Sequence, residues 1–248
     1  MKEPTDMGMN RTGIGTSPFD SKELIDGAAS SVPSSEGDAS GIASLRISYT
    51  TESGNVGTMP PPSSVKGAVK SVLEGITARN PAVFLDKLAE RLQFERTGTR
   101  MYESVLAKFD ALGSFDGGPS RDTLLEFHGE ELKHFHVLRS ALESMGADPT
   151  ALTPSADIAA VEASGLLQVL NDPRTTLPQA LHAILVAELA DSEGWDMLIE
   201  LATNLGHEAM ADDFRDAMRA EEKHLAHVRQ WVANHAIQDA EGKLEQAA

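Results

Sequence analysis

From residue 80 onward, apolar positions recur three and four residues apart. The first series is Phe84, Leu85, Leu88, Leu92, Met101, Tyr102, Val105, Leu106 and Phe109. That spacing predicts an amphipathic helix. Asn80–Pro81 supplies a cap and a proline at the first helical position, and Gly113 supplies the stop. A second series fills residues 121–145, behind the capping Ser120 and ahead of Gly146. A third runs from Thr176-Leu177-Pro178 to Asn204, before Gly206, and a fourth from about His207 to Asn234. Short loops join the first helix to the second and the third to the fourth, so each pair is predicted to be an antiparallel hairpin. About 30 residues separate the hairpins, enough to cross a helical bundle, with a short helix of their own over 156–170.

Before residue 65 the pattern is different. Ser, Gly, Pro and Thr dominate stretches such as GAASSVPSSEGDASG and TESGNVGTMPPPSS, which carry too little apolar surface to offset the entropy of ordering them. Pro60, Pro61 and Pro62 suggest a short stiff spacer. One apolar strip, Ile42 to Tyr49, reads as a floppy tail or as a strand-like segment docked on the folded part. The expected organisation is an irregular segment over 1–64, a short helical linker over 65–79 centred on Val65–Ile76, a helical bundle over 80–236 and a tail over 237–248. The predicted class is all-α, with no competing strand signal.

Charge and cysteine content narrow the chemistry. With 21 Lys and Arg against 38 Asp and Glu, the net charge is −17 and there is no cysteine. An acidic chain is a poor binder of phosphate backbones, so a nucleic-acid partner is not expected. Without cysteine, disulfides, iron–sulfur clusters, thiolate zinc sites and cysteine nucleophiles are excluded together. Any metal must be held by His, Asp and Glu. No apolar run approaches the ~20 residues of a spanning helix, and residues 1–13 lack a secretion-type apolar core. The expectation is a cytoplasmic protein.

Candidate chemistry lies on the inward stripes. Glu95 shares a helical face with Leu88, Leu92, Tyr102 and Leu106, and Glu188 with Leu181, Ile184, Trp195 and Ile199. The second helix carries Glu131-Leu132-Lys133-His134 and the fourth Glu221-Glu222-Lys223-His224. Side chains three apart point the same way, so each Glu and its His can reach one point in the core. A Glu-x-x-His pair alone is weak evidence. The weight comes from the repeat: a lone Glu, then Glu-x-x-His, twice over. Lys133 and Arg139 recur as Lys223 and Arg229, and Tyr102 and Trp195 stand at the same offset from their lone Glu.

Four carboxylates in an apolar core cannot stay unpaired, since each uncompensated buried charge costs several kcal/mol. No inward stripe of Lys or Arg is apparent. Two divalent cations supply the missing charge, with neutral imidazoles completing the ligation. Oxygen-rich sites with one imidazole per metal suit iron or manganese, with zinc as a substitute.

On these residues the chain, over about 80–234, resembles the ferritin-like di-iron carboxylate superfamily, especially bacterioferritin and the erythrin-type half of rubrerythrins. The resemblance implies a four-helix bundle of two antiparallel hairpins with one long crossover. It implies two iron ions, one served by Glu95, Glu131 and His134 and the other by Glu188, Glu221 and His224, with Glu131 and Glu221 bridging. Leu132 stands where bacterioferritin has its haem-ligating methionine, so no haem is expected. Nor is there a rubredoxin-like cysteine module. The expected function is oxidation–reduction with O2 or peroxide, ferroxidase- or peroxidase-like, using an external electron donor and working as a homo-oligomer, a dimer or larger. Alternatives are hydroxylation or oxidation of an organic substrate, metal storage in an oligomer, and a structural bundle with a vestigial site.

Neighbouring residues carry further expectations. Tyr102 and Trp195 are core aromatics, hydrogen-bond donors to the ligand carboxylates or carriers of electrons, and Tyr102 is the one candidate catalytic residue beyond the metal ligands. Glu130 and Asp191 are exposed helix acids or partners for the far nitrogen of a ligand His. Gly98 leaves room either for a small oxidant or for close helix packing. His128, His136, His182, His207, His227 and His235 read as ordinary surface or core residues, and Lys133, Lys223, Arg139 and Arg229 as rim charges.

Overall fold

The computed structural model describes residues 17–31, 39–61 and 81–242, and within them every regular element is a helix. The chain divides into two units, Met1–Gly54 and Asn55–Ala248. The first contains α1 (Pro18–Ser30) and α2 (Ser40–Glu52). The strip Ile42–Tyr49, expected as a strand or a floppy tail, is therefore helical. A lone strand would leave its backbone groups unpaired, whereas a helix satisfies them internally. Thr50 and Thr51 also bond back to the carbonyls of Arg46 and Ile47. The apolar side chains of α2 stay exposed, so its helicity owes nothing to burial. The expected linker helix Val65–Ile76 and the cap Asn80 lie outside the described residues.

The second unit contains α3 (Pro81–Leu112), α4 (Arg121–Met145), α5 (Pro154–Asn171), α6 (Leu177–Leu205) and α7 (Glu208–Ala240). Local chemistry sets their ends. Ser120 Oγ accepts from the Thr123 amide, and Thr176 with Gln179 forms a reciprocal capping box. Gly146 and Gly206 close α4 and α6 with φ of 80° and 81°, a left-handed turn that side chains resist. At the C-terminus α7 continues to Ala240, past the expected boundary at 236.

Neighbouring helices are held at their ends. Arg121 at the start of α4 pairs with Asp110 near the end of α3, and Arg215 on α7 reaches Thr203 on α6. α5 runs along α3 in the same direction: Ser155 bonds Asp86, and Lys108 bonds the carbonyls of Asp172 and Thr175. No helix among the described residues is long and apolar enough to cross a membrane.

The interior is two apolar clusters with a polar layer between them. One includes Tyr102, Val105, Phe127, Ile184 and Trp231, and the other Leu88, Leu138, Trp195 and Phe214. Both draw on α3, α4, α6 and α7. On each helix the residues that leave the first cluster and enter the second flank an acidic or imidazole position. Glu95, Glu131 with His134, Glu188 with Asp191, and Glu221 with His224 occupy those gaps.

Candidate metal centre

All six residues singled out by the repeat come together. Glu95, Glu131, His134, Glu188, Glu221 and His224 are each at most 5% exposed. Their donor atoms form overlapping groups within 4.8 Å: Glu131, Glu188, Glu221 and His224; Glu95, His134 and Glu221; and Glu95, Glu131 and Glu221 with Asp191. Glu221 belongs to all three groups and Glu131 to two. His224 Nδ1 lies 3.1 Å from Glu221 Oε2, 3.5 Å from Glu131 Oε1 and 3.9 Å from Glu188 Oε2. His134 Nδ1 lies 2.6 Å from Glu221 Oε1 and 3.7 Å from Glu95 Oε2.

Several of these atoms face the middle without an aligned hydrogen bond. Glu95 Oε2 and Glu188 Oε2 are buried without a hydrogen bond, and His134 Nδ1 and Glu221 Oε1 face each other at 2.6 Å, also buried and without an aligned one. Buried polar atoms are seldom left unpaired, because each lost partner costs about 1–3 kcal/mol. Such atoms from four helices converging on one place are what a cation site requires. Buried Glu and His groups of this kind could hold a metal ion.

The outward-facing atoms are pinned. Tyr102 donates its hydroxyl to Glu188 Oε1. Arg91 donates through Nε to Glu95 Oε1 at 3.2 Å. Glu130 accepts from His224 Nε2–H at 2.8 Å, which turns the other nitrogen toward the carboxylates. Each pinned group offers its remaining atom inward.

Three expectations change. Arg91 is a buried guanidinium, bonded to Glu95, paired with Asp191 and stacked 4.0 Å from the Phe94 ring centre. The polar layer therefore does contain a cation, and Asp191 serves that guanidinium rather than the far nitrogen of a histidine. Gly98 holds no room for an oxidant: a Cβ there would stand 2.1 Å from Glu131 Oε2, so the glycine admits the carboxylate itself. Gly194 does the same for Arg91, whose Nη1 would lie 1.8 Å from an added Cβ. The signal for Arg91 and Asp191 was their register, one turn before Glu95 and one turn after Glu188.

Five carboxyl groups against one guanidinium leave a formal deficit equal to the charge of two divalent cations. Burial, first of all, pushes Glu95, Glu131 and Glu221 well above the ordinary carboxylate range. The same cause, with the Asp191 charge, raises Glu188 to about 8. Burial lowers His134 to about 4, keeping the imidazole neutral. Tyr102 is held well above its usual value by burial and by Glu188, so it stays a neutral donor. For Arg91, burial alone would lower the pKa, but Asp191 and Glu95 outweigh it and the guanidinium stays charged.

Other residues stay out of the layer. Trp195 packs its ring edge-on to His134, and its Nε1 makes no hydrogen bond. His207 stacks on Phe84 and His235 meets Phe115 edge-on. His128 faces Glu103, His227 bonds the Lys223 carbonyl, His136 lies beside Phe135, and His182 is exposed. Lys133 and Arg229 are exposed, Arg139 pairs with Glu143, and Lys223 pairs with Glu126.

Comparison with protein-family models, with curated proteins and with solved structures found no match to the chain.

Proposed function

We propose that the second unit is a dinuclear metal carboxylate protein of the ferritin-like type, a four-helix bundle of α3, α4, α6 and α7 with α5 in its crossover. Its function on this reading is oxidation–reduction with O2 or peroxide, ferroxidase- or peroxidase-like. The observation that carries the reading is the set of inward atoms without an aligned hydrogen bond, Glu95 Oε2, His134 Nδ1, Glu188 Oε2 and Glu221 Oε1. The full donor set, four Glu and two His with no sulfur, suits iron or manganese. Bound iron would supply the one-electron redox chemistry, cycling between Fe(II) and Fe(III).

The protein's own part is geometric and electrostatic. Glu221 belongs to all three donor groups, as a bridging ligand would, while Glu131 and Glu95 each belong to two. Tyr102, Arg91 and Glu130 lock the terminal ligands so that each presents one atom. The apolar clusters on either side exclude water, which strengthens every charge interaction inside the layer.

A small oxidant suits the surroundings better than an organic substrate. Among the described residues, hollows of about 220, 370 and 620 Å3, the first lined by Leu85, Ala89, Leu142 and Met145 among others, are lined by none of the ligand candidates. A substrate seated there would not meet the carboxylates. The test is stopped-flow absorbance after mixing the Fe(II)-loaded protein with O2 and, separately, with H2O2. Rapid formation of ferric absorbance that Glu221→Ala abolishes supports the reading. Oxidation no faster than that of free Fe(II) in the same buffer refutes it.

A further inference from the structure

The two halves of the polar layer repeat each other in ligands but not in the groups that hold those ligands. Glu188 and Glu95 are the lone carboxylates of the repeat, and each has one oxygen tied and one free. The tie on Glu188 is the neutral hydroxyl of Tyr102, whereas the tie on Glu95 is the charged guanidinium of Arg91. A cationic donor draws more charge from a carboxylate than a neutral one, and a charged hydrogen bond is roughly twice as strong. Glu95 is thereby the poorer partner for a cation. Ile184 holds the place in α6 that Arg91 holds in α3, so the difference is built into the sequence.

A second asymmetry points the same way. The His224 ring gives its Nε2–H to Glu130, an arrangement that fixes the tautomer and raises the basicity of the inward nitrogen. Ala220 occupies the matching place before Glu221, and His134 meets carboxylates through Nδ1 alone. His134 thus lacks the polarising acid that His224 has.

We propose that the two cation positions are unequal. The one served by Glu188 and His224 fills first and holds its ion tightly, while the one served by Glu95 and His134 fills second and exchanges readily, with Arg91 as the positioning residue that weakens it. This rests on the two-ion reading above. It assigns the exchangeable ion, and hence any metal that is substrate rather than resident cofactor, to the Arg91 side. Asp191 anchors the guanidinium from α6, and Gly194 leaves the space in which it lies.

The experiment is a calorimetric and absorbance titration of the metal-stripped full chain with Co(II), whose d–d bands report oxygen and imidazole ligation. Wild-type protein is expected to take up two ions in steps separated by about tenfold or more in affinity, the scale on which outer partners act. Glu95→Gln removes the weaker step and Glu188→Gln the tighter. Arg91→Gln brings the two steps together, and Arg91→Lys, which keeps the charge, keeps them apart. Circular dichroism checks each variant's fold. Should Arg91→Gln leave Asp191 uncompensated and fail to fold, the charge-balanced Arg91→Gln/Asp191→Asn double variant decides in its place. Two indistinguishable steps in the wild type, loss of the tighter step in Glu95→Gln, or an unchanged separation in a folded variant without Arg91 overturns the inference and leaves the two-ion reading standing. Saturation below two ions per chain overturns both.

Discussion

Tyr102 on α3 gives its hydroxyl to Oε1 of Glu188 on α6, across 86 positions of sequence and inside the buried layer. The bond joins α3 to α6 across the buried layer. It also leaves Glu188 with a single inward oxygen. Tyr102→Phe is expected to keep both ions but lower thermal stability by about 1–2 kcal/mol, the cost of an unpaired buried acceptor. Elemental analysis beside thermal melts checks this, and loss of an ion would assign Tyr102 more than a positioning role.

Gly98 and Gly129 separate close approach from helix propensity. Alanine is the better helix former by ~1 kcal/mol, and at Gly129 an added Cβ meets nothing within 4 Å. Gly129→Ala is therefore expected to raise the melting temperature. Gly98→Ala drives a methyl into the Glu131 carboxylate and is expected to destabilise the fold by about 1–3 kcal/mol and to weaken ion binding. Melting curves of the two variants side by side give the comparison, with opposite signs expected.

Glu130 acts through His224. Removing the acceptor by Glu130→Ala leaves Nε2–H without its carboxylate and is expected to weaken metal binding by about 10- to 100-fold with the fold intact. Glu126→Ala, which removes only the exposed partner of Lys223, is expected to leave binding unchanged. Equilibrium titration of both variants distinguishes the two carboxylates.

The metal-free protein should lose stability as pH rises above neutrality. Glu188 is raised to about 8 in the fold from an ordinary value of 4.5, so its contribution is full below pH 4.5 and is lost as pH climbs through 8. Neutral His134, lowered to about 4 from 6.5, works in the opposite direction, its contribution lost as pH falls from 6.5 toward 4. Above pH 6.5 only the carboxyl effect remains. Thermal melts of stripped protein are expected to show a falling midpoint from pH 6.5 to 8.5, and saturating divalent cation should flatten that fall. A rising midpoint would contradict the assignment of protonated carboxyls to the metal-free layer.

Most of the second unit was legible because its helices carry local signals: apolar spacing, the Ser120 and Thr176 caps, and the Gly146 and Gly206 stops. The six ligand candidates were legible because Glu-x-x-His and its preceding Glu recur on inward faces. Arg91 was not, since a single arginine one turn from a glutamate is as common on a solvated face as in a core. Its burial depends on Asp191 and Gly194, a hundred residues or more away in sequence, which no local pattern reports. The helicity of Ile42–Tyr49 was missed for a different reason. Its apolar residues suggested docking, whereas the segment forms a helix without burying them.

On this reading the buried carboxylates of α3, α4, α6 and α7 exist to hold two cations. Anaerobic equilibrium titration of the metal-stripped protein with Fe(II), with bound iron counted per chain, tests it most directly. Saturation at two is expected in the wild type, with a lower plateau for both Glu131→Ala and Glu221→Ala. No saturable binding in the wild type, or a plateau of two that survives both substitutions, would contradict it.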